Sequence, residues 1–121
     1  MDLRILNEFR SIVGNGGLIC SPEELHTYEC DGLTNFRVLP RAVLLPSSTA
    51  QVQSIVRLCH RERIPFVARG SGTGLSGGAL PVANGIVLSL ARMNRIREVD
   101  IPNARVVVEP GVINLDVNGR V

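Results

Sequence analysis

With 121 residues, 45% of them hydrophobic and 20% charged, the chain can bury one small core and is too apolar for a disordered tail. A net charge of +2, no Trp, one Tyr and three Phe exclude a nucleic-acid surface built on basic patches and stacked bases. Cys20, Cys30 and Cys59 form no C-x-x-C pair, so neither a disulfide framework nor a zinc ribbon is indicated. Cys20, His26 and Cys30 with His60 fit no metal-ligand spacing, and Cys59, set among apolar residues, reads as a small buried hydrophobe. Asp2 and Glu8 interrupt any apolar leader, and no run reaches the roughly 18 apolar residues of a membrane span. A soluble, cytoplasmic protein is expected, able to join a membrane through a partner.

In chain order, Leu3, Ile5, Leu6, Phe9, Ile12 and Val13 recur close to every 3.6 residues, which predicts a helix over 2–13 ended by Gly14. Asn15-Gly16-Gly17 is a turn, and Ser21-Pro22 starts a helix of one turn at most, with Ser21 as its cap. Asp31-Gly32 marks another turn, followed by irregular chain to Pro40. Residues 42–45 form a short apolar strand stopped by Pro46, and Ser48 or Thr49 caps a helix reaching Glu62. Residues 65–68 form a second strand, parallel to the first in a right-handed β-α-β unit. A third strand spans 86–90, and 96–99 with 106–109 suggests a hairpin turning at 101–104. Pro110-Gly111 breaks the chain, and Asn114 begins a helix that is still open at Val121. The fold class is α+β. Arg92, Arg95 and Arg97 belong on an exposed strand edge or turn.

Between the second and third strands runs Arg69-Gly70-Ser71-Gly72-Thr73-Gly74-Leu75-Ser76-Gly77-Gly78. Every glycine in it costs chain entropy on folding, so such density needs a reason. Alternating glycines let successive backbone N–H groups turn inward as a nest for an anion. Ser71, Thr73 and Ser76 add hydroxyl donors, and Arg69 adds a positive charge at the mouth. A pyrophosphate is the anion indicated; a flexible surface loop is the alternative. Gly72-x-Gly74-x-x-Gly77 matches the dinucleotide fingerprint, but the loop leads through Leu80-Pro81 and Asn84-Gly85 into a strand, where a Rossmann turn opens a helix. A Walker A loop fails as well, because Gly78 stands where the lysine is required.

These segments together carry a resemblance. Pro46-Ser47-Ser48-Thr49, Pro65 to Gly74, Leu88 to Asn94 and Glu109-Pro110-Gly111-Val112 resemble the FAD-binding domain of the vanillyl-alcohol oxidase/p-cresol methylhydroxylase superfamily. Tyr28-Glu29-Cys30-Asp31-Gly32-Leu33 and Leu75 to Pro81 are similar to its branch of glycolate oxidase flavoprotein subunits and D-lactate dehydrogenases. The resemblance runs from about Glu24 to Leu115. It implies a helical and irregular extension over 1–38 and, over 39–121, the first half of a p-cresol methylhydroxylase-type FAD-binding domain. Pro46 would lie beside the adenine end of FAD. Arg69, Gly70, Ser71, Gly72, Thr73, Gly74, Ser76, Gly77 and Gly78 would hold its pyrophosphate. Met93 and Asn94 would lie near the cofactor, and Pro110, Gly111 and Val112 near the ribityl and flavin region. With neither His nor Cys in the loop, the flavin would be held there non-covalently.

What the resemblance further implies is an oxidoreductase that takes a hydride from a 2-hydroxy acid such as glycolate or D-lactate and passes electrons to a partner subunit or other acceptor. Past Leu115 the residues depart from the family's expected helix, and the second half of the FAD domain and the substrate domain are missing. The chain is therefore expected to be a fragment without turnover, or a binding module for another diphosphate nucleotide. No His–carboxylate–Arg constellation is legible for acid/base work, so no catalytic residue is assigned.

Overall fold

The computed structural model describes residues 2–30, 32, 37–74 and 77–121. Asp31 of the expected turn and Ser76 of the glycine-rich loop lie outside them.

Asp2 caps α1 (Leu3–Val13), its carboxylate accepting from the Arg4 N–H at 3.0 Å, and Gly14 ends the helix at φ +80°. A 3₁₀ turn (Asn15–Gly17) leads into β1 (Leu18–Ile19). Ser21 caps the single turn of α2 (Pro22–Leu25), and a 3₁₀ turn (His26–Tyr28) follows. Next come β2 (Ala42–Leu44) and α3 (Thr49–Glu62), whose first turn is held by Ser48 Oγ accepting from the Gln51 N–H at 3.2 Å. β3 (Phe66–Arg69) and β4 (Ile86–Ser89) complete the main sheet.

The sheet order is β1-β2-β4-β3. β2 and β3 are both parallel to β4, as a β-α-β unit requires, but β4 lies between them, and β1 adds antiparallel to β2. Burial explains the order. Every residue of β2 and β4 is buried, whereas Phe66 and Ala68 of β3 are exposed at the edge. Ala42, Leu44, Ile86 and Leu88 face a core shared with Phe9 and Val13 of α1 and Ile55, Leu58 and Cys59 of α3. Val43 and Val87 face the other way, under Leu25, Tyr28 and Ile19. Phe9 and Val13 on one side and Leu25, Tyr28 and Ile19 on the other thus cover both faces of the sheet.

A second sheet pairs β5 (Ile96–Asp100) with β6 (Arg105–Val108), with an irregularity between Ile96 and Glu98. Its turn is pinned by the Asp100 carboxylate, which accepts from the Asn103 N–H at 3.3 Å. Val106, Val107 and Val108 of β6 are exposed. The chain closes with α4 (Asn114–Arg120). Among the described residues no helix is long and apolar enough to cross a membrane.

Cys59, 1% exposed, has its thiol pushed up from the ordinary 9.0 to about 11, because burial disfavours the thiolate. The folded state therefore keeps a proton that the unfolded chain loses near pH 9, and stability falls between about pH 9 and 11. The loss is at most about 2–3 kcal/mol. Urea midpoints measured across that range should decline for the wild type and flatten for Cys59→Ala; a slope surviving in the variant would assign the effect to another group.

Candidate functional site

The parallel strands β2, β3 and β4 end on one side, at Pro46, Gly70 and Leu90, the carboxyl edge where open α/β sheets place ligands. Backbone hydrogen bonds tie that edge together. The Leu90 N–H donates to Arg69 O at 2.8 Å, Met93 to Leu90 O at 3.0 Å, and Gly111 to Met93 O at 2.8 Å. Gly111 is in addition packed so closely that a Cβ would collide with the Leu90 and Met93 carbonyls. A Cβ on Gly70 would lie 3.6 Å from Pro110 O. Arg69–Gly70, Leu90–Met93 and Pro110–Gly111–Val112 are therefore one unit. Pro46 is fully buried at the end of β2. Asn94, next after Met93, lines a cleft of about 620 Å³ with Leu115, Asp116 and Gly119.

The glycine-rich loop joins β3 to β4 through residues 70–85, and its described residues form no helix. Parallel neighbours need a crossover of roughly a dozen residues, normally helical. Here the described residues 70–74 and 77–85 contribute no helix to it, and it returns at Gly85, whose carbonyl accepts from the Arg41 N–H at 2.9 Å. The glycines divide by physical task. Gly72 (φ +72°) and Gly77 (φ +81°) occupy left-handed backbone that side chains resist. At Gly74 and Gly78, whose backbone is not left-handed, a Cβ would meet nothing within 4 Å, as is also true of Gly77. Clearance at these two positions, beside exposed Ser71 and Thr73, leaves room for an anion against the backbone. These residues fit a diphosphate.

Arg69 is fixed by main-chain acceptors on two segments. Its guanidinium lies against the loop and is held by carbonyls: Nη1 donates to Cys30 O at 3.1 Å and Tyr28 O at 3.5 Å, and Nη2 to Ser71 O at 3.5 Å. It also lies 5.3 Å from the centroid of the Tyr28 ring. Gly32, on the same segment, donates to Gly74 O at 2.8 Å. Carbonyl acceptors, which no spacing reveals, capture the arginine.

Other contacts escaped the sequence reading. Glu109, 8% exposed, accepts from the Arg95 N–H at 3.0 Å and lies 3.6 Å from the Arg95 guanidinium and 3.9 Å from that of Arg97. Arg92 donates to Gly16 O at 2.6 Å. The arginine cluster is thus an anchor for the second sheet and the N-terminal turn. One His–carboxylate–Arg contact forms at the surface: His26 Nδ1 is 2.9 Å and Arg37 Nη1 3.6 Å from the Glu29 carboxylate. His26 and Arg37 are mostly solvent-exposed, and the Glu29 backbone carbonyl accepts from the Val38 N–H at 2.7 Å, so the cluster fastens two chain segments. Among the described residues no group of three or more His, Cys, Asp or Glu could hold a metal ion.

Comparison with known proteins places this geometry. Residues 40–121 match the family model described as "FAD binding domain". The chain is 43% identical over 117 residues to glycolate oxidase subunit GlcD of Escherichia coli, covering 97% of this chain and 23% of that protein. It is 34% identical over 120 residues to the D-2-hydroxyglutarate–pyruvate transhydrogenase of Saccharomyces cerevisiae, covering 98% of this chain and 24% of the relative. The chain thus spans about a quarter of the length of these relatives. Among solved structures, p-cresol methylhydroxylase with bound substrate superposes with a TM-score of 0.82 at 27% identity, over 97% of this chain and 24% of that one. Alkyldihydroxyacetonephosphate synthase, at 17% identity and a TM-score of 0.85 over 99% of this chain and 24% of that one, shares the fold. A glycine-rich crossover at the carboxyl edge of a β1-β2-β4-β3 sheet, matched by model and by structure, shows that the chain belongs to the FAD-binding domain family, with the fold of p-cresol methylhydroxylase-type flavoproteins and FAD as its cofactor.

Proposed function

We propose that this chain supplies the diphosphate cradle for a non-covalently held FAD in a flavoprotein that oxidises a 2-hydroxy acid. The observation that carries this reading is the loop at the carboxyl edge, with left-handed glycines at 72 and 77 and open space at 74 and 78. Glycolate and D-2-hydroxyglutarate, named in the relatives above, are both 2-hydroxy acids, as is the D-lactate of a putative dehydrogenase from Schizosaccharomyces pombe that is 32% identical over 112 residues. FAD, when bound, supplies the redox chemistry. The residues of this chain bind and orient it. Gly70, Ser71, Gly72, Thr73, Gly74, Gly77 and Gly78 hold the diphosphate through backbone N–H groups and hydroxyls, and Ser76 belongs to the same loop. Pro46 adjoins the adenine end, and Pro110, Gly111 and Val112 approach the ribityl chain. With neither His nor Cys from 69 to 78, the loop offers no side chain for a covalent flavin link. The electron acceptor would be a partner subunit.

The test is a competition titration. FAD should bind with quenching of flavin fluorescence, ADP should displace it, and riboflavin, which lacks the diphosphate, should not. Displacement by riboflavin alone would place the site on the ring and remove the cradle. ADP binding with no gain from the flavin half would favour a module for another diphosphate nucleotide.

A further inference from the structure

We propose that Arg69, Tyr28, Cys30 and Gly32 form a positioning device that aims the cradle's amides, with Arg69 donating to the loop's Ser71 carbonyl and not to the ligand. The inference rests on the diphosphate reading above.

Its warrant is peptide planarity. Among the described residues no peptide bond is cis, and in a trans peptide the carbonyl of one residue points opposite to the N–H of the next. Three loop carbonyls are drawn toward one side. Ser71 O accepts from Arg69 Nη2, Gly74 O accepts from the Gly32 N–H, and Thr73 O packs so closely on Gly32 that a Cβ there would collide with it. With the Ser71 and Thr73 carbonyls turned this way, the N–H groups of Gly72 and Gly74 point the other way, as a nest demands. Arg69 is itself held in place. Its other nitrogen donates to the carbonyls of Tyr28 and Cys30, and its carbon lies 5.3 Å from the Tyr28 ring. A planar fork reaching carbonyls on two segments is a task for Arg that a Lys point charge performs poorly. Gly72 completes the fit, because a side chain there would collide with the guanidinium.

The probe is ADP, titrated into the ¹⁵N-labelled chain with the Gly72 and Gly74 amide resonances observed, in salt from low to high. In the wild type both amides should shift. Arg69→Lys and Gly32→Ala should each weaken ADP at least tenfold, and Arg69→Met should weaken it while leaving the salt dependence of binding at the wild-type slope. Wild-type affinity in Arg69→Lys, or a shallower salt slope in Arg69→Met, would mean that the charge touches the diphosphate directly and would overturn the proposal. Wild-type affinity in Gly32→Ala would overturn it too, and this variant decides the matter if the Arg69 variants do not fold. Wild-type amides unmoved by ADP would instead overturn the diphosphate reading itself, and the positioning role with it.

Discussion

Gly74→Val should lower FAD affinity at least about 100-fold while leaving the thermal midpoint within about 3 °C of the wild type. The two halves of that expectation have separate causes. Gly74 does not lie in left-handed backbone, and a Cβ there meets nothing within 4 Å, so the apo fold has room for the valine. The same empty space is where a diphosphate would approach the backbone. A branched side chain would fill it and break charge-assisted hydrogen bonds worth about 1.5–3 kcal/mol each. Gly72→Val differs, because φ +72° opposes a β-branched residue and its Cβ would strike the Arg69 guanidinium. That variant should lose stability and binding together. Equal FAD affinity in Gly74→Val and wild type, read by fluorescence titration beside thermal melts, would remove the loop's phosphate role.

Gly111→Ala should be the most destabilising single-methyl change in the chain, at about 3–5 kcal/mol. Its Cβ would have to occupy space held by the Leu90 and Met93 carbonyls, which are backbone atoms already committed to the Met93 and Gly111 hydrogen bonds. Moving them would loosen the link between β4, the Pro110 turn and the buried Glu109 below it. Gly119→Ala is the internal control. It lies in α4, with nothing within 4 Å of the new methyl, and should gain up to about 1 kcal/mol from helix propensity. Urea midpoints of the two variants should move in opposite directions. A Gly111→Ala midpoint at the wild-type value would show that the 90–93 turn yields at little cost, and the rigidity assigned to the carboxyl edge would be wrong.

How far the sequence reaches is visible in particular residues. Local order is written in it. The 3.6-residue stripe of α1, the Ser21 and Ser48 caps, the apolar runs of β2 and β4 and the turn at 101–104 each depend on neighbours a few positions away. The glycine-rich loop was legible for the same reason, since the conformational demand on a glycine is local even when its ligand is not. Boundaries moved by one residue, as with β3 beginning at Phe66 and not Pro65.

Only the tertiary structure decided what lies far apart in the chain. The position of β4 between β2 and β3, the two-residue strand β1 and the cover that Phe9 and Leu25 give the sheet come from burying both faces of the parallel strands at once. Arg69 shows the limit most clearly. Its spacing beside the glycines puts a charge next to the loop; what the spacing does not show is that, besides Ser71 O, its acceptors are carbonyls of Tyr28 and Cys30, 41 and 39 positions away. Main-chain acceptors are the same in every residue type, so no residue pattern could have announced them; the folded approach of Gly32 to Gly74 brings them within reach.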